Sequence, residues 1–220
     1  MSAKRVSHLC ITKDGTDQSE VIGIVSQRDV LLLQGNNPSI LAKQIRKSNN
    51  IERIAGWRDQ AEKLVRSYLY QELAIPLISN VITEINDTLI EKAIELSIEK
   101  LEQQGKQIPA VSFCWLSLGS EGRKEQFLRT DQDNAFIYQD VEEEEKAERV
   151  KDYFLSLSSS VTDLLVKWGF VRCPADMVAS NPKWCQPIAI WEKYFQDWIE
   201  FSDEKAIMHT TIFFDFRPIY

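Results

Sequence analysis

Apolar and polar positions alternate from Val6 to Thr12, and after a polar turn at Lys13 to Thr16 the apolar run Val21 to Val25 follows. This pattern predicts two strands, leading into a short helix at Arg28 to Gln34. From Ile51 to Gln104 the period lengthens. Ile54, Trp57, Ala61, Leu64, Val65 and Leu69 form one helical stripe, Ile78, Ile82, Ile85, Leu89, Ile94 and Leu101 form another, and Pro76 divides them into two helices. Gly105 and Pro109 stop the second helix, so the run Val111 to Leu118 reads as a buried strand. A polar stretch of helix length, Gly119 to Thr130, separates it from a strand at Ala135 to Tyr138. The acidic run Asp140 to Glu145 opens another helix, which carries Val150, Phe154, Leu157, Val161 and Leu165 and stops at Gly169. Residues 173–187 read as a loop, Ile188 to Phe201 as an aromatic-rich helix, and Thr210 to Ile219 as a core strand.

These elements predict an α+β fold, a helical hairpin at 51–104 followed by a small mixed sheet with packed helices at 105–220. Residues 1–46 form a separate strand, strand, helix unit. Such a unit leaves a sheet edge and an apolar face uncovered, which predicts further chain upstream. A core strand at the very end of the chain likewise predicts that the segment 105–220 is truncated at its C-terminus.

With 44% hydrophobic and 27% charged residues over 220 positions, the chain can build a core, which excludes a disordered or fibrous protein. Thirty-three acidic against 26 basic side chains give a formal charge of -7, so no whole-molecule positive field favours nucleic acid as a partner. The longest apolar runs fall far short of the ~20 residues that cross a bilayer, and the amino terminus lacks the apolar core of a signal peptide. The expectation is a cytoplasmic protein with no membrane partner. Cys10, Cys114, Cys173 and Cys185 form no CxxC pair and no zinc spacing with His8 or His209, which predicts reduced thiols, mostly buried.

The chemistry concentrates between Leu116 and Tyr138. A buried strand ends in Gly119-Ser120, and Asp131 and Asp133 enter the next strand. In extended backbone, residues two apart share a face, so these carboxylates can converge on one hard cation. Gly119 lets the backbone approach a phosphate, Ser120 adds a hydroxyl, and a following helix would present free N–H groups. Metal on one side and phosphate on the other is the arrangement for a nucleoside triphosphate. Gly-Ser turns and Asp-x-Asp pairs are individually common, but this order on strand, helix and strand is not.

In that order, Gly-Ser, spacer and Asp-x-Asp, the sequence resembles the nucleotidyltransferase superfamily that includes DNA polymerase beta and the uridylyltransferase that modifies PII. The segments Gly119 to Gln126, Thr130 to Ala135, Cys173-Pro174, Met177 to Ala179, Asn181 to Cys185 and Phe213 to Pro218 extend the likeness. They resemble a bacterial nucleotidyltransferase family found downstream of CBS and cyclic-nucleotide-binding domains, over roughly residues 51 to 220. Residues 1–46 resemble the C-terminal half of a CBS domain, in which Ser26 and Asp29 would contact the ribose of an adenine nucleotide.

The resemblance implies nucleotidyl transfer that depends on Mg²⁺ or Mn²⁺. Asp131 and Asp133 would hold the metal, with Asp215 as the third catalytic and metal-binding carboxylate. Gly119 and Ser120 would hold the β and γ phosphates. Arg123 and Arg217 are candidate phosphate contacts because a guanidinium binds phosphate oxygens in a fork, and Glu125 and Thr130 match the family motif. An ion pair with Arg217 is the structural alternative for Asp215. The implied partners are a nucleoside triphosphate, an acceptor such as a protein hydroxyl, and a second copy of the full-length protein. A non-catalytic nucleotide-binding signalling module is the alternative from another class.

Overall fold

The computed structural model describes residues 6–26, 38–126, 131–201 and 203–220; the expected helix at Arg28 to Gln34, with Asp29 and Thr130, lies outside them. Strand β1 (His8–Thr12) pairs antiparallel with β2 (Val21–Ser26), and the Lys13 amide donates to the Glu20 carbonyl at 3.0 Å. Leu9 and Ile11 on one strand and Val21, Ile22 and Ile24 on the other remain exposed.

Three helices follow, α1 (Pro38–Lys47), α2 (Ile51–Tyr70) and α3 (Ile75–Gln103). Asn50 caps α2 by accepting from the Arg53 amide at 2.8 Å, and Pro76 sits in the first turn of α3, where its missing N–H costs nothing. Leu41 and Ile45 of α1 are buried with Ile54, Leu64, Ile78 and Ile85 of the helical pair. Helix α1 therefore crosses residue 46 and packs into the same core as α2 and α3.

The central sheet contains β3 (Phe113–Ser117), β5 (Asn134–Tyr138), β7 (Cys185–Pro187) and β8 (Arg217–Pro218), in the order β7-β5-β3-β8. β3 runs antiparallel to both β5 and β8, whereas β5 and β7 are parallel. A second, short parallel pair joins β4 (Asp131–Gln132) to β6 (Val171–Arg172). Helix α4 (Gly119–Gly122) follows β3, α5 (Glu144–Lys167) lies between β5 and β6, and α6 (Ile188–Glu200) and α7 (Glu204–Phe213) precede β8.

Side chains alternate across the sheet with the period of two that strands impose. Trp115 and Phe136 pack on the face shared with Ile90 of α3 and Phe154 of α5, while Leu116, Ala135 and Ile137 pack with Trp184, Trp191 and Phe213 on the other. The fold is thus α+β, with helices on both faces of a small mixed sheet. Among the described residues, no helix is long and apolar enough to cross a membrane.

Three elements differ from the sequence expectation. The stretch after Gly119 forms a single helical turn, not a helix, over the residues described. The 173–187 loop contains a 3-10 turn at Pro182–Trp184 and the strand β7. Residues 210–219 are not one strand: α7 runs to Phe213, and only Arg217–Pro218 pairs with β3. The Asp203 side chain caps α7 by accepting from the Ala206 amide at 2.6 Å, and His209 and Phe213 pack against Trp184 and Trp198. A cap and an aromatic floor prevail over the β-branched composition of this segment.

Candidate active site

The site is built where β3 ends. Gly119 takes φ +53°, and a Cβ there would lie 3.5 Å from the Asp133 carboxylate. The next backbone contact points the same way, since the Leu118 amide donates to the Asp133 carbonyl at 2.9 Å. The Gly119-Ser120 turn and Asp133 are therefore neighbours through space.

Asp131 and Asp133, both half-buried, share this place with buried Cys173. One ligand atom from each of the three lies within 4.8 Å of the others, a donor set of two carboxylate oxygens and one sulfur that suits a divalent cation. Burial holds the Asp133 carboxyl above its ordinary pKa, the neighbouring Asp131 charge adds to this, and the Cys173 hydrogen bond partly offsets it. Burial also pushes up the Cys173 thiol. Asn134, 2% exposed, fixes the geometry: its amide donates to the Met177 carbonyl at 3.0 Å, and its Oδ1 accepts from the Ala179 amide at 2.7 Å. The loop that carries Cys173 is thereby tied to the strand that follows Asp133.

Asp215 is not part of this group of three. It lies in the connection between α7 and β8, and its carboxylate accepts from the Arg123 guanidinium, which also donates to Glu125 at 2.8 Å. The structural alternative expected for Asp215, a pair with Arg217, does not form either. Arg217 donates through Nη1 and Nη2 to Asp87 at 2.8 and 2.9 Å, through Nη2 to the Glu121 carbonyl, and through Nε to the Gly122 carbonyl. With its donors engaged in this way, Arg217 ties the turn to Asp87 of α3.

Gly122 has a steric reason for its identity. An added Cβ would fall 1.8 Å from the Asp215 carbonyl oxygen, so the turn and the segment before β8 can approach only without a side chain there. Glu121 is buried beneath the turn, its Oε2 accepting from the Ser117 hydroxyl at 3.3 Å and its Oε1 unpartnered. Burial, and then the Asp87 charge, push its carboxyl up to about 8.

Cys173, Gly122, Glu121, Asp87 and Asn134 were not singled out from the sequence. The pattern Cys173-Pro174 was visible, but its place opposite Asp133 arises from the parallel pairing of β4 with β6, which a whole helix separates in sequence. The remaining expected residues fall as follows. Ser120 is half-buried in the turn, and Ser26 ends β2.

Residues 59–205 match the family model described as Putative nucleotidyltransferase DUF294. Neither a curated protein nor a solved structure matches the chain. The family match covers well over half of the sequence, and it contains the turn, both aspartates and Cys173. On that extent the chain belongs to the family Putative nucleotidyltransferase DUF294.

Proposed function

We propose that the chain binds a nucleoside triphosphate together with a divalent cation, Mg²⁺ or Mn²⁺, and transfers the nucleoside monophosphate to an acceptor hydroxyl. The observation that carries this reading is the approach of the Gly119-Ser120 turn to Asp133, which brings the backbone of the turn beside the acidic pair. Asp131 and Asp133 hold the cation, which when bound offsets charge on the triphosphate and polarises the α-phosphorus. Gly119 allows backbone amides to reach the β and γ phosphates, and Ser120 adds a hydroxyl. Arg123, with a side chain 42% exposed, exchanges Asp215 for a phosphate oxygen. Asp215, released, accepts the proton of the attacking hydroxyl. The acceptor oxygen bonds to the α-phosphorus, the bond to the bridging oxygen breaks, and pyrophosphate leaves.

In this reading the acceptor is a protein hydroxyl, as the resemblance to the PII-modifying enzyme implies. The β1–β2 hairpin is part of a CBS-type regulatory unit in a cytoplasmic, homodimeric signalling protein. A nucleotide-binding module without turnover is favoured by one observation, the Arg123–Asp215 pair, which keeps the third carboxylate out of the cluster.

Thermal unfolding with each of four nucleoside triphosphates and Mg²⁺, alongside a pyrophosphate assay, tests both. At a hundredfold excess over Kd, binding adds about 2.7 kcal/mol, or about 5–10 °C in Tm for a chain of this size. Asp131→Asn with Asp133→Asn should abolish the shift. A shift with no pyrophosphate release supports the binding module, and no shift with any nucleotide overturns both readings.

A further inference from the structure

We propose that Cys173 is a metal ligand, making the Asp131–Asp133 pair a mixed oxygen and sulfur centre that takes a thiophilic divalent cation of the zinc class more tightly than Mg²⁺. The proposal rests on the reading above only in placing a cation at this pair.

The backbone puts the thiol there. β4 and β6 are parallel, with Asp131 opposite Val171 and Gln132 opposite Arg172, so the same register carries Cys173 to Asp133. The Asp176 amide donates to the Cys173 carbonyl at 3.0 Å, and the Asn134 contacts with Met177 and Ala179 close the loop over it. Cys173 is 7% exposed and its sulfur lies within 4.8 Å of oxygens from both carboxylates. The thiol hydrogen-bonds the Asp133 carboxylate, and a cation joining the three donors would take the place of that proton.

Beneath the same turn, Glu121 is 4% exposed with an unpartnered Oε1, while the nearby Arg217 is engaged by Asp87.

The chemistry of the donors then selects the ion. Mg²⁺ demands six oxygens in an octahedron, whereas zinc accepts two carboxylate oxygens and a sulfur in a tetrahedron and leaves the fourth position open, here to a phosphate oxygen. Binding replaces the S–H bond by a sulfur–metal bond, and the thiol proton goes to solvent, one proton for each ion bound.

The test uses the full chain carrying Cys10→Ser, which removes the exposed thiol. Co²⁺ serves as the spectroscopic probe, and Zn²⁺ competes with it. The expected result is a near-ultraviolet sulfur-to-cobalt absorption that Zn²⁺ abolishes, with one more proton released by Zn²⁺ than by Mg²⁺. Cys173→Ser, confirmed as folded by its unfolding curve, should lose the band and weaken Zn²⁺ binding by at least about tenfold.

No band and no extra proton in the unsubstituted site overturn the proposal without recourse to a variant. A band that survives Cys173→Ser overturns it as well, by assigning the sulfur to another cysteine. Sulfur absorption in a protein that no nucleoside triphosphate stabilises supports the metal ligand and defeats the nucleotidyl-transfer reading. A Mg²⁺-dependent nucleotide shift without the band does the reverse.

Discussion

Glu121 shows how much the turn demands of single side chains. Its carboxyl is buried beside Asp87 and keeps its proton up to about pH 8, against about 4.5 in the unfolded chain. The folded state therefore binds more protons than the unfolded state between those values. Its contribution to stability is full below about pH 4.5 and lost as the pH rises through about 8. Glu121→Gln keeps the shape and carries no charge, so Tm against pH should flatten over this window and exceed that of the unsubstituted protein at pH 9. An unchanged profile would mean that Glu121 does not titrate there. At this scale Asp131, Asp133, Gly119 and Ser120 were legible because their chemistry is local in sequence. The partners of Asp215 and Arg217 were not, because Arg123 and Asp87 reach them only through the tertiary fold.

Between β3 and β4 the turn is held by two devices from distant elements. Arg217 of β8 grips the Glu121 and Gly122 carbonyls while pairing with Asp87 of α3. Arg217→Gln should cost about 2–3 kcal/mol in chemical unfolding, the value of charged hydrogen bonds that leave Asp87 unpaired. Gly122→Ala places a methyl against the Asp215 carbonyl, and the forced separation should cost at least about 2 kcal/mol and reduce nucleotide affinity in the same titration. A neutral Gly122→Ala would show that the contact is dispensable. Elements with a long apolar stripe, α2, α3 and α5, were readable from periodicity alone. α7 was not, because Thr210, Thr211 and Ile212 have the composition of a strand, and their helix depends on the Asp203 cap and the Trp184–Trp198 floor.

For the whole molecule, residue 46 is not where the core ends. Two chains, one starting at Pro38 and one at Ser48, differ by α1, whose Leu41, Ala42 and Ile45 are buried. The shorter should be less stable by several kcal/mol at about 1.5–3 kcal/mol for each large apolar side chain, measured by denaturant unfolding. Equal stability would make α1 an appendage. The α+β class followed from the order of elements, but the sheet order β7-β5-β3-β8 did not, since β8 joins β3 by two residue pairs that no local pattern announces. That late join has a consequence for synthesis. Trp115 donates to the Tyr220 carbonyl and accepts from the Ile219 amide, so β3 leaves the ribosome long before its partner exists. Arg217 reaches the turn only after α5, α6 and α7 have emerged. Closing so long a loop is entropically costly and slow. A nascent chain halted after α7 should therefore carry the aspartates and the thiol in place yet fail to retain nucleotide until β8 has emerged.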